Sequence, residues 1–233
     1  MLKVCSLDLG SKRQAAVKGV IDDAILRIKD YKYTYIEEEN IKEKIKKLNE
    51  FLEKNVLSEE FDFVVLEKKF KGTKKKKLKV SHSEYKAFVM LNEHAKNKLL
   101  SEEINLLTVV SSNIEAFFVN SKRSNYFVPG WKQVLTGVNK PSDKDIEEAL
   151  KTLLKEGKIV YEVNISELIE NNTRFYIDFN DAVGMLYAYI LRPEIFVLEE
   201  APKEDDDNKN DFYDEITKEL LEKFLGPVVP WVK

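Results

Sequence analysis

Residues 177–190 read IDFNDAVGMLYAYI. Twelve of these fourteen residues suit any buried helix; the other two, Asp178 and Asp181, are carboxylates three positions apart where a helix is expected to start. A period of 3.6 residues sets them about 60° apart around that helix. They fall beside the arc of Ala182, Val183, Leu186 and Ile190, which must face a core. Taken singly, either acid suits a helix start. Two of them on the edge of an apolar face direct attention to other acids placed the same way.

The chain outward from this segment alternates. LKVCSLDL (2–9), QAAVKGVID (14–22) and DAILRIKDY (23–31) read as strands, the last two joined by a hairpin turn at Asp22 and Asp23. Ile41, Ile45, Leu48 and Leu52 repeat at helical spacing. FDFVVLE (61–67) and INLLTVV (104–110) read as buried strands, and between them Tyr85, Phe88, Val89, Ala95 and Leu99 mark a helix that Ser83 would cap. Ser142 and Asp145 make a capping box ahead of the stripe Ile146, Ala149, Leu150, Leu153 and Leu154, which Gly157 closes. KIVYEVN (158–164) fits a short edge strand. Strands first, then helices alternating with strands, predict a mixed sheet flanked by helices, an α/β domain.

Chemistry in such sheets collects at the carboxyl ends of strands. Asp8 ends the first strand, before Gly10, and Glu67 ends FDFVVLE. An Asp ahead of a Gly is commonly turn chemistry, and a Glu at a strand end can pair with a lysine, so neither acid alone identifies a site. All four carboxylates are expected to meet where the late helix approaches the strand ends. Like charges at short range raise each other's pKa or bind cations. Hard oxygen ligands suit Mg²⁺ or Mn²⁺, and two such ions are the apparatus of in-line phosphoryl displacement.

The 233 residues, 43% hydrophobic and 34% charged, contain no apolar run long enough to span a bilayer. The single Cys5 excludes an internal disulfide and implies a reducing, intracellular setting. The net charge of −3 is unevenly spread. Residues 199–233 hold eleven acids and five bases, whereas KKFKGTKKKKLK (68–79) holds eight lysines in twelve residues. The first segment is read as an acidic linker with a short amphipathic piece at 212–225, separate from a domain at 1–198, and as an aid to solubility. A lysine run is commonly a solvated loop; its position directly after Glu67 gives it a second meaning.

SLDLGSK, VVLEKKF and DFNDAVGMLYAYI resemble the three acidic motifs of RuvC-like Holliday junction resolvases in the ribonuclease H-like superfamily, across residues 1 to about 192. Asp8, Glu67, Asp178, Asp181 and Ala182 match that pattern in order and spacing. The resemblance implies a five-stranded ribonuclease H-like sheet, two Mg²⁺ ions (or Mn²⁺) held by the four acids, and paired symmetric nicks in four-way DNA that leave 5′ phosphates. WKQVLTGVNKPSDK resembles the family's lysine segment, mapping Lys132 onto the first lysine and Lys144, or else Lys140, onto the second. Phe70 matches a base-stacking aromatic, and Lys68, Lys69, Lys71, Lys74, Lys75, Lys76, Lys77 and Lys79 would contact phosphates, with Lys122 and Arg123 extending the surface. Two symmetric cuts imply a homodimer, for which the helix at 82–100 is a candidate interface and equally an ordinary core helix.

The longer stretch at 111–130, the extra helix and strand between Lys144 and Asp178, and the acidic tail depart from the bacterial pattern. They point to a viral, phage or organellar-type branch. Three rivals stand beside this reading. One is a ribonuclease H-like nuclease acting on RNA or flaps, and another a DNA-binding protein without catalysis, against which four clustered acids argue. The third is an actin-like ATPase, to which LDLGSK is similar, but eight glycines supply no second phosphate loop.

Overall fold

The computed structural model describes residues 1–38, 40–68, 82–111, 114–115, 127–171 and 173–201. β1 (Leu2–Leu9), β2 (Arg13–Asp22) and β3 (Ile25–Tyr35) form an antiparallel meander. The turn between β2 and β3 is made by Asp23 and Ala24, with φ of 47° and 64°. Two consecutive left-handed residues match the twist of a tight hairpin, so the turn lies one residue beyond the expected Asp22 and Asp23, and β3 runs on to Tyr35.

α1 (Ile41–Asn55) starts at Asn40, whose side chain accepts the Lys42 N–H. β4 (Phe63–Glu67), α2 (His82–Ser101) and β5 (Leu106–Val109) follow. α2 is described from His82, which puts the backbone of Ser83 within the helix. β6 (Ile114–Glu115) and β7 (Phe127–Val128) pair in a separate small ribbon. Then come α3 (Trp131–Thr136), α4 (Asp143–Lys155), β8 (Ile159–Tyr161), α5 (Ser166–Asn171), α6 (Thr173–Leu191), a 3-10 turn at Pro193–Ile195 and β9 (Val197–Leu198). The Ser142–Asp145 capping box opens α4 as expected, and Gly157, at φ 70°, follows its end.

The sheet runs β8-β3-β2-β1-β4-β5-β9. The five expected strands form its centre, extended by β8 parallel to β3 and by β9 antiparallel to β5. β1, β4 and β5 are parallel neighbours, so their carboxyl ends share one edge. Alternation along the strands splits the core in two. Val4, Val17, Phe63 and Val65 face α3, α4, α5 and α6, whereas Cys5, Leu7, Leu9, Val64 and Leu66 face α1 and α2. Burial pushes the Cys5 thiol up to about 12, so it is an inert core residue. α2 buries Leu91, Ala95 and Leu99 against α1, the ordinary alternative for that helix.

α6 packs on β1 and β2, pinned by Phe179, whose ring meets Tyr31 and Tyr161 edge-on at 5.6 and 5.5 Å. It is described from Thr173, so Asp178 sits beyond its first turn and not at the helix start. Asp178 is therefore held by side chains rather than by the unpaired N–H groups of a helix end, which serve only the first turn. Among the described residues no helix is long and apolar enough to cross a membrane.

Candidate active site

The four predicted carboxylates come from three elements meeting at the carboxyl edge of the sheet. In the parallel β1–β4 pairing Leu7 faces Leu66, so Asp8 and Glu67 follow side by side. Alternation turns both to the α6 side, since Val4 and Val65 on the same faces of their strands pack there. Glu67, Asp178 and Asp181 are 4%, 8% and 9% exposed, values at which a charge needs a partner.

Among the described residues, Arg13 and Lys132 answer that need for Asp178 and Asp181. Arg13 grips Asp178 with Nε on Oδ2 at 2.6 Å and Nη2 on Oδ1 at 3.1 Å, a two-point fork that fixes the carboxylate's plane. The tight turn after β1 aims this arginine: the Gly10 N–H donates to the Arg13 carbonyl at 2.7 Å, and a Cβ at Gly10 would lie 3.0 Å from that oxygen. Lys132 donates to Asp181 Oδ2 at 2.7 Å while lying over the Trp131 ring, 5.0 Å from its centroid. Its helix, α3, sits close because α6 carries Gly184 at the crossing. A Cβ there would meet Trp131 Cζ3 at 2.6 Å and Leu135 Cδ2 at 3.0 Å. Neither Arg13 nor Gly184 stands out in the sequence reading, although a glycine inside an apolar helix is a signal of close approach.

The electrostatics tie the acids together. The Arg13 pKa is raised first by its hydrogen bond to Asp178; burial opposes this, and the Asp178 and Asp8 charges add smaller upward contributions. Burial works against the Lys132 ammonium, yet Asp181, Glu67 and Asp8 hold its pKa above the ordinary lysine value. Asp181 is pushed from 3.8 to about 6, first by burial and further by Glu67 and Asp143, with Lys132 opposing. An acid and a base shifted upward together are what a dry site with surplus negative charge produces.

The fit to a metal ion is partial. Asp181 Oδ1 is buried without a hydrogen-bond partner, an oxygen suited to a cation. Asp181 also lines a cavity of about 160 Å³ with Asp143, Lys144, Glu147, Tyr176 and Asn180. Among the described residues, however, no three acidic, histidine or cysteine side chains lie close enough to hold a metal. Arg13 and Lys132 take the places beside Asp178 and Asp181, so a metal would have to displace them.

The remaining predicted residues divide. Lys144 lines the cavity but is 81% exposed and pairs with Glu148 at 3.7 Å, and Lys140 is exposed at the surface. Of the three lysines Lys132 is the one that reaches an acid of the site. Lys68 donates to Glu199, within the segment read from sequence as a solvated linker. Lys69, Phe70, Lys71, Lys74, Lys75, Lys76, Lys77, Lys79, Lys122 and Arg123 lie outside the described residues, as does the amphipathic piece at 212–225.

No protein-family model and no curated protein matches the chain. Solved structures do. The RuvC of Thermus thermophilus in complex with a Holliday junction substrate superposes with a TM-score of 0.54 at 10% identity, covering 83% of this chain and 95% of that one. A second structure of the same Thermus protein gives 0.54 at 11% identity, covering 84% and 99%. The yeast mitochondrial Holliday junction resolvase Ydc2 gives 0.47 at 14% identity, covering 94% and 86%. The chain has the RuvC-like fold of the ribonuclease H-like class.

Two substitutions probe this geometry. Gly184→Ala is expected to cost about 1–3 kcal/mol in urea unfolding, because the new methyl overpacks Trp131. Asp181→Asn tests the charge surplus. A carboxyl whose pKa is raised on folding costs stability as pH climbs from about 4 to 6 and leaves the chain less stable above that. The variant should therefore melt higher than the parent in a chelator at pH 7–8, the gap closing towards pH 4. A pH-independent gap would contradict the assignment.

Proposed function

We propose that this chain is a metal-dependent endonuclease that cuts four-way DNA junctions by paired symmetric nicks. The observation that carries the reading is the gathering of Asp8, Glu67, Asp178 and Asp181 around two cations at the carboxyl edge of a sheet with the RuvC-like fold. The Thermus structure with that fold was solved with a Holliday junction bound, which makes branched DNA the substrate class to test first.

Asp8, Glu67 and Asp181 would have to draw closer together than they stand here to hold one Mg²⁺ or Mn²⁺, with Asp178 and Asp8 holding a second. When bound, such ions supply Lewis acidity to the phosphate and activate the attacking water. Asp181, with its unpartnered oxygen, must be deprotonated to serve. Lys132, which donates to Asp181 until an ion displaces it, would then turn to the phosphoryl group and offset charge that develops there. Arg13 keeps Asp178 oriented, and it neutralises that acid until a metal takes over. The lysines of 68–79 with Lys122 and Arg123 provide phosphate contacts that are independent of sequence. Two identical sites in a two-fold dimer match the symmetry of the junction, and action on DNA places the protein in an intracellular, nucleoid or viral replication setting.

The test is cleavage of a labelled four-way junction in Mg²⁺, beside linear duplex and an RNA–DNA hybrid, with Asp181→Asn as control. Paired nicks carrying 5′ phosphates in the junction alone, falling at least about a hundredfold in the variant, are expected. Cutting of the hybrid in preference to the junction would replace this reading with the ribonuclease one.

A further inference from the structure

Glu199 follows β9, at the outer edge of the sheet, yet its side chain is only 9% exposed. Three donors from three elements converge on its carboxylate. Thr108 Oγ1 on β5 donates at 2.6 Å, Lys68 Nζ after β4 at 3.3 Å, and Lys96 Nζ on α2 forms the third bond. Burial alone would raise the Glu199 pKa, but the two lysines and the threonine hold it below the ordinary glutamate value.

A two-residue strand does not need this arrangement. β9 pairs with β5 at Leu107↔Leu198 and Thr108↔Val197, and the Glu199 N–H donates to the Leu106 carbonyl at 2.8 Å. An apolar side chain would anchor such a strand without burying charge, and buried ion pairs are weak sources of stability. What the cluster does provide is a preformed donor set, two ammoniums and a hydroxyl for one oxyanion. That set suits a phosphate as well as a carboxylate. Thr108 shares a face of β5 with Leu106, which packs on the α1 and α2 side. The cluster therefore lies on the opposite face from the α6 acids, with Lys68 directly after Glu67.

We propose that Lys68, Lys96 and Thr108 form a binding site for a DNA backbone phosphodiester, and that Glu199 fills it in the free protein as an intramolecular phosphate mimic. The inference rests on the junction-cutting reading and adds to it a contact on the α2 face and an internal competitor. The competitor is displaceable because it is held by a short edge strand whose Leu198 is 59% exposed. No bond is made or broken; one oxyanion exchanges for another on the same three donors.

The experiment is fluorescence anisotropy of a labelled four-way DNA junction with the full chain, without divalent ions, over a salt series. Glu199→Gln should bind about five- to tenfold tighter, with a steeper salt dependence by about one ion per phosphate gained. Adding Lys96→Gln to it should abolish that gain. Equal or weaker junction binding by a normally melting Glu199→Gln overturns the proposal. Should that variant fail to fold, Lys96→Gln alone decides: weaker binding with a shallower salt slope supports the site, and unchanged binding overturns it. Absence of any binding by the parent chain removes the junction reading and this inference together. A parent that binds and cuts while Glu199→Gln gains nothing removes the inference alone.

Discussion

Buried negative charge is the constraint around which this molecule is arranged. Glu67, Asp178 and Asp181 are nearly sealed from water, and Asp8 stands beside them at the end of a parallel strand pair. Desolvating a carboxylate costs several kcal/mol unless something of opposite sign is close. Among the described residues Arg13 answers on Asp178 and Lys132 on Asp181. Burial is the first cause of the raised Asp181 pKa, with Glu67 and Asp143 adding to it, while Asp181, Glu67 and Asp8 hold the Lys132 pKa up against its burial.

Much of the remaining architecture serves that arrangement. The parallel pairing of β1 and β4 sets the register that puts Asp8 next to Glu67. Phe179 locks α6 against Tyr31 and Tyr161, fixing the height of Asp178 and Asp181 above the sheet. Gly184 lets Trp131 into contact with α6, which carries Lys132 to its acid. A stable fold on its own would not call for a part-buried arginine fork or a glycine at that crossing, because an apolar helix face packs well without either.

Legibility in the sequence followed the range of the interactions. The strands were readable because LKVCSLDL and FDFVVLE are short, mostly apolar runs, and both structural strands end at or next to Asp8 and Glu67. The α4 boundaries were readable because Ser142, Asp145 and Gly157 act within a few residues of each other. The start of α6 was set too late, although Asn171, Asn172 and Thr173 are all cap-type residues in the sequence. Arg13 could not be found: its partner is 165 residues away, and one arginine after a turn is unremarkable. Glu199 was hidden for the same reason. Its acidic surroundings suggest a solvated linker, whereas its partners Lys68, Lys96 and Thr108 come from distant parts of the chain. At one edge of the sheet β8 was legible as the short strand KIVYEVN, whereas β9 at the other edge is too short to leave a pattern.

The central claim is that the buried acids at the carboxyl edge of the sheet exist to bind divalent cations. Anomalous diffraction from crystals of the full chain grown with Mn²⁺ tests this most directly. The account predicts a manganese peak bonded to oxygens of Asp8, Glu67 and Asp181, with Lys132 moved off Asp181. Manganese absent from these oxygens at saturating concentration, with the Lys132–Asp181 and Arg13–Asp178 pairs intact, would contradict it.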